Sequence, residues 1–287
     1  MSGSDPTTAT FESTSRFVET SVGRIHYHEA GSGPVLLCIH GGAPGAFGWG
    51  NFGYNLDDWS RSFRVLIVDL PGYGLSDRPE ISGGRYSFYA KSFLEMLTAL
   101  DVDKAHVLGM ATGGAAAIKM AIEAPDRVES LILVSSAGGL PMFTPSPSEG
   151  QKVIASYYGG TGPTRERMRD YLDMIVFDSS CITEDIIDER YDASIQPEFM
   201  TNAPEGHGIR TVNEPVWKDL DQIKARTLVV WGRDNRVQGY DNALFMLTRI
   251  PDVQVHIFGR TGLWVPFERK AEFSGVLRAF IDSGDPA

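Results

Sequence analysis

Two apolar rhythms alternate along the chain. Val35–Ile39, Val65–Val68, His106–Leu108, Leu131–Val134, Thr227–Trp231 and Val253–Phe258 are short runs rich in β-branched residues. They read as strands buried on both faces. Between them, Tyr89–Leu100, Gly113–Ala124, Asn242–Arg249 and Arg269–Ile281 carry apolar residues at helical spacing. Ahead of the series, Arg16–Val22 and Arg24–His28 alternate about turn residues, as an antiparallel hairpin does. A hairpin followed by repeated strand–helix units predicts an α/β fold, a mostly parallel sheet with helices on both faces.

The rhythm breaks between residues 138 and 216. This stretch holds Pro141, Pro145, Pro147, Pro163, Pro197, Pro204 and Pro215, with helix-like pieces at Arg165–Phe177 and Thr183–Ile195 and no strand signal. It is far too long for an ordinary connection. The expected organisation is therefore a core of residues 1–137 and 217–287 with a helical cap of residues 138–216 inserted after a central strand. The first ten or so residues, polar and without an apolar core, are expected to be mobile and do not form a secretory signal.

Composition narrows the partners. The 287 residues are 42% hydrophobic and 22% charged, with a formal net charge of −11. Such a surface repels phosphate backbones and anionic lipid, which excludes nucleic acid and membrane as expected partners. Two cysteines, Cys38 in an apolar strand and Cys181 in the insertion, give no disulfide framework and suit a reducing cytoplasm. No metal-ligand cluster or dinucleotide fingerprint is present, so no cofactor is expected.

Three segments at the C-terminal ends of predicted strands carry the chemistry, the end at which open α/β sheets bind ligands. His40-Gly41-Gly42-Ala43-Pro44-Gly45-Ala46 follows the first parallel strand. Its glycines let backbone N–H groups approach a developing oxyanion. Gly109-Met110-Ala111-Thr112-Gly113-Gly114 joins a strand to a helix with the glycine spacing of a nucleophile elbow, but Ala111 stands where such a turn presents its serine. A methyl group cannot attack a carbonyl. Gly259-Arg260-Thr261-Gly262-Leu263-Trp264 follows the last strand, where a catalytic histidine is expected and Leu263 is found. Trp231-Gly232-Arg233-Asp234-Asn235 lies where the triad carboxylate belongs, and Asp234 is the candidate acid.

These motifs resemble those of α/β-hydrolase-fold proteins. The run from Gly31 to Phe52, the elbow, Pro125-Asp126-Arg127, the Trp231–Asp234 run and Gly262 to Arg269 resemble the meta-cleavage-product hydrolases. Those enzymes split carbon–carbon bonds in vinylogous diketo acids. The resemblance runs from about Phe11 to the C-terminus. It implies that Arg190 binds a substrate carboxylate, that Asn51 and Trp264 line the pocket, and that the protein forms dimers or larger assemblies. Met110 departs from the family, which has Asn before its serine.

Each candidate has a plainer reading. Arg190 sits among Asp185, Asp188, Glu189 and Asp192 and could make a surface ion pair; Trp264 could be core; Asp234 could pair with Arg233 or Arg236. His40 reads as a loop-shaping residue, and His26, His28, His106 and His256 as structural. His207 alone among the histidines reads as free to reach a ligand. Without serine and histidine, three classes of function stand. The first is a non-hydrolytic enzyme acting on an anionic, aromatic or polyketide-like small molecule. It would use N–H groups near Gly42 and Thr112, a floor of Gly41, Met110, Ala111 and Leu263, and Asp234 as base if burial raises its pKa. The others are a non-catalytic binding protein and an inactivated carbon–carbon hydrolase.

Overall fold

The computed structural model describes residues 9–81, 83–197 and 213–284. Strands β1 (Ser15–Thr20) and β2 (Gly23–Ala30) form the expected antiparallel hairpin. They precede β3 (Val35–Ile39), β4 (Arg64–Val68), β5 (Ala105–Met110), β6 (Val128–Val134), β7 (Thr227–Gly232) and β8 (Val253–Phe258). All eight join one sheet in the order β1-β2-β4-β3-β5-β6-β7-β8, parallel from β4 onward. The period-2 alternation of each strand splits the core in two. On β3, Leu37 and Ile39 face one cluster and Leu36 and Cys38 the other. Edge strand β8 departs from the expectation: its residues are half-buried, with Gln254 exposed, because only one strand pairs with it.

Four helices cover these faces at the places the apolar spacing marks. They are α3 (Arg85–Ala99), α4 (Thr112–Glu123), α8 (Asp241–Arg249) and α10 (Lys270–Asp282); α1 (Phe11–Thr14) and α9 (Val265–Glu268) are single turns. A further helix, α2 (Gly48–Trp59), has no counterpart in the sequence reading. Helices α3, α4 and α8 contribute Tyr89, Phe93, Ala116, Ala243 and Met246 to one cluster. Helices α2 and α10 contribute Phe52, Trp59 and Phe273 to the other.

Between β6 and β7 lie α5 (Glu149–Ser156), α6 (Arg165–Ile175) and α7 (Glu184–Ser194), with no strand among the described residues. Met168, Tyr171, Leu172, Ile186 and Ile187 pack in the same cluster as Met110, Leu263 and Trp264, so the insertion lies over the sheet's functional end. Carboxylates fasten both of its ends. Asp241 accepts N–H bonds from Met142, Phe143 and Thr144 at 2.7–2.8 Å, and Glu214 accepts those of Tyr86 and Ser87 at the start of α3. No helix among the described residues is long and apolar enough to cross a membrane.

Candidate active site

The turn from β5 to α4 keeps the geometry of a nucleophile elbow around an alanine. Ala111 sits at φ 47°, ψ −118°, a region that L residues avoid and that costs about 1–3 kcal/mol. The glycines around it are required by close approach. A Cβ on Gly109 would lie 2.5 Å from the Gly113 carbonyl oxygen, and one on Gly113 would strike the carbonyls of Ile39 and His40. Gly41 stands directly over the apex, where an added Cβ would be 3.1 Å from that of Ala111.

The β3–α2 loop is shaped by His40. Its Nδ1–H donates to the Gly41 carbonyl at 2.7 Å, while Nε2 accepts the Leu70 N–H at 2.9 Å. Burial pushes the imidazole down to about 4, outweighing the attraction of Asp69, so it stays neutral and acts as a brace rather than a base. Tyr73 Oη donates to the Gly42 carbonyl at 2.9 Å. Among the described residues the Gly42 N–H has no acceptor, and Thr112, at the first position of α4, has a free N–H like any helix start. Gly45 adopts φ 65°, and a Cβ there would collide with the Arg190 backbone carbonyl. The loop and α7 thus meet through a glycine.

Arg190 is 4% exposed, which removes its surface ion-pair reading; Asp188 pairs instead with Arg165. Its guanidinium donates to the carbonyls of Gly45 (3.2 Å) and Gly50 (2.9 Å) and to Asn51 Oδ1 (2.9 Å). All three acceptors are neutral. Nε is buried without a partner, and no carboxylate among the described residues lies within ion-pairing distance. Burial lowers the Arg190 pKa from its ordinary value, and burial likewise raises that of neighbouring Glu189. The faces of Trp264 (5.1 Å) and Phe47 (5.6 Å) flank the cation. Trp264 is both core and frame: it is 1% exposed, stacks on Phe267 at 4.2 Å, and donates Nε1–H to the Asn51 carbonyl. Asn51 completes the link by donating Nδ2–H towards the Met110 sulfur at 3.6 Å.

The far side of the elbow is different. Leu263 is buried, its N–H bonded to the Ile175 carbonyl and its carbonyl to Ser135 Oγ. Asp234 is paired rather than free: its side chain is 30% exposed and held by Arg233 at 3.4 Å and by the Thr261 N–H at 3.3 Å. The next residue turns inward. Asn235 is buried, its Oδ1 accepts the N–H groups of Val237 and Gln238 at 2.9 and 3.0 Å, and its Nδ2 has no partner. Ser135 and Phe47 carry no functional signal in the sequence, and Asn235 carries only the motif that it shares with Asp234. His207 lies outside the described residues. Among those described, no three His, Cys, Asp or Glu side chains group as metal ligands.

Comparison with known proteins agrees with this geometry. Residues 34–164 match the model of the alpha/beta hydrolase fold family. A 2-hydroxy-6-oxononadienedioate/2-hydroxy-6-oxononatrienedioate hydrolase of Paraburkholderia phymatum is 34% identical, over 96% of this chain and 99% of its own. A 2-hydroxy-6-oxo-6-phenylhexa-2,4-dienoate hydrolase of Burkholderia cepacia is 35% identical, over 91% and 92%. The structure of a meta-cleavage product hydrolase from Pseudomonas fluorescens, a serine-to-alanine variant complexed with acetates, superposes with a TM-score of 0.82 at 28% identity, covering 95% of this chain and 99% of that one. With relatives of this identity matched from end to end, the chain belongs to the meta-cleavage-product hydrolases of the α/β-hydrolase fold.

Proposed function

We propose that the protein is a non-hydrolytic member of this family, which binds a small carboxylate-bearing conjugated or aromatic molecule and promotes a step that needs no nucleophile. The observation that carries the anion is Arg190, a buried cation whose Nε lacks a partner and whose contacts are all neutral. A charge so placed is costly until an opposite charge reaches it. The ligand's carboxylate at Arg190 would set its carbonyl towards the N–H groups of Gly42 and Thr112. Donors of that kind contribute about 10²–10³-fold each to a developing oxyanion.

Hydrolysis is a poor fit to the same residues. Ala111 offers no nucleophile and Leu263 no proton carrier. Asn235, with Oδ1 on two N–H groups and Nδ2 orphaned, fits the place of a triad carboxylate better than exposed Asp234 does. All three members would then be replaced. Of the steps open to such a site, addition, cyclisation, bond cleavage by elimination or isomerisation, the last asks least of the protein. An enolate-like charge on the ligand oxygen is stabilised at the N–H pair while solvent moves the proton. The ion pairing of Asp234 favours one second reading, a binding protein without turnover, since it leaves no free base in the motif.

The test is incubation of the protein with 2-hydroxy-6-oxo-dienoates and aromatic acids in ¹⁸O-labelled water, followed by mass spectrometry. Conversion at unchanged mass, lost in Arg190→Ala, is the expected result. A cleaved product carrying ¹⁸O overturns the non-hydrolytic reading; a ligand bound and unchanged establishes the second.

A further inference from the structure

A set of Ser, His and Asp side chains lies in line on the hairpin side of the sheet, apart from the elbow. Ser15 Oγ is 2.8 Å from His26 Nε2, and His26 Nδ1 is 2.8 Å from Asp69 Oδ2. The residues come from the start of β1, the middle of β2 and the position just after β4, so the pairing of these strands assembles them.

The tautomer follows from the partners. Asp69 is 2% exposed and also accepts the N–H groups of Gly48 (2.6 Å) and Leu75 (2.9 Å), as an ionised carboxylate does. Burial alone would raise its pKa, but the hydrogen bond from His26 and the nearby imidazoles hold it below the ordinary value. It can only accept, so His26 carries its proton on Nδ1 and turns the Nε2 lone pair to the Ser15 hydroxyl. The imidazole is fully buried between the rings of Phe11 (5.9 Å) and Phe17 (4.9 Å), and its backbone N–H is fixed by Ser76 Oγ at 2.9 Å. Ser15 itself is half-buried, next to exposed Arg16 and to Phe17, whose surface is 45% exposed. A hydroxyl, a correctly tautomerised imidazole and a buried carboxylate in line are the parts by which a serine is activated.

We propose that Ser15 is an acyl-acceptor site, taking acyl groups from activated esters with small acyl parts and aromatic leaving groups. Ser15 Oγ forms the new bond to the ester carbonyl carbon as the carbonyl–oxygen bond to the leaving group breaks. The hydroxyl proton passes to His26 Nε2 and on to the departing phenolate, while Asp69 stays ionised and holds the imidazolium. The exposed Phe17 ring provides an apolar rim for the leaving group. The N–H groups of Thr14 and Ser15 are already tied to the Thr10 and Phe11 carbonyls, so among the described residues neither of these donors is free for an oxyanion as the Gly42 N–H is. Acylation therefore proceeds once per chain with activated esters, and the acyl group stays.

The experiment uses the full chain and p-nitrophenyl acetate, with phenolate release followed by absorbance and the acetylated residue found by peptide mass mapping. The expected result is a burst approaching one equivalent, with the acetyl group on the Ser15 peptide. Ser15→Ala abolishes it, and His26→Gln slows it about 10²-fold or more. If His26→Gln does not fold, the wild-type chain serves instead: Ser15 must be acetylated at least about 10-fold faster than the exposed Ser13 two residues away. Acetyl groups confined to lysines or Thr112, a Ser15 rate unchanged in a folded His26→Gln, or a wild-type Ser15 rate no higher than that of Ser13 overturns the proposal.

Discussion

At one end of the site Arg190, Asn51 and Trp264 form a connected polar chain; at the other Ala111 and Leu263 are aliphatic and Asn235 has an orphaned amide. The first end keeps a buried charge met only by neutral groups until an anion reaches it. The second keeps a strained backbone turn without the side chain that such a turn presents. Under the proposed function the first end holds a ligand and the second lacks the groups that would attack it, and the contrast separates the two tasks.

The strongest way to break this contrast is to rebuild the reacting end. Ala111→Ser with Leu263→His and Asn235→Asp is expected to raise hydrolysis of a 2-hydroxy-6-oxo-dienoate by about 10³-fold or more, measured as loss of dienoate absorbance. Triad members act as a unit, so the single and double changes should give little. Equal activity with Asn235 left in place would assign the acid to Asp234 instead.

Next in size is the holding end. Arg190→Met is expected to weaken binding of a dienoate or aromatic carboxylate by about 10²–10³-fold in calorimetric titration, as a desolvated charge partner is lost. The matching ester or amide should lose little. A carboxylate that binds Arg190→Met as tightly would place the anion elsewhere.

Acid tests two buried imidazoles, His40 beneath the β3–α2 loop and His28 on β2. His28 and His40 are held near 4 by burial, against 6.5 for the free side chain. The unfolded chain takes up these protons as pH falls through 6.5, whereas the folded chain resists until about 4. Each contribution is whole above pH 6.5 and lost progressively below it, by about 3 kcal/mol apiece. Scanning calorimetry should therefore show a falling Tm between pH 6.5 and 4, smaller in His28→Gln than in the parent relative to each protein's value at pH 7.

The smallest effect concerns the turn itself. Ala111→Gly removes a positive-φ penalty and adds chain entropy to the unfolded state, for a net stabilisation of about 1 kcal/mol in denaturant titration. A loss of stability would mean that the Ala111 methyl packs to advantage.

Much of the scaffold was legible because the sheet's residues are chemically plain. Val253–Phe258 is a strand with the predicted bounds, and the hairpin about Gly23 pairs as its alternation requires. Helix α2 was not legible: Gly48, Gly50 and Gly53 depress its helical signal, yet Gly48 is forced by the nearby Val68 carbonyl. Ala111, Leu263 and Arg190 could be placed from their motifs. Asp234 and Asn235 could not be told apart, since adjacent polar residues at a strand end differ only in which one the next turn directs inward.

The insertion leaves the sheet after β6 and returns at β7, and these strands lie side by side. Asp241 and Glu214 clip its ends to rigid helices. Closing a loop between two fixed, neighbouring points depends only weakly on its length, about 0.6 kcal/mol for each doubling. The chain between β6 and β7 can therefore differ in length with little cost to its closure, so the sheet sets only weak limits on how long the segment above it is.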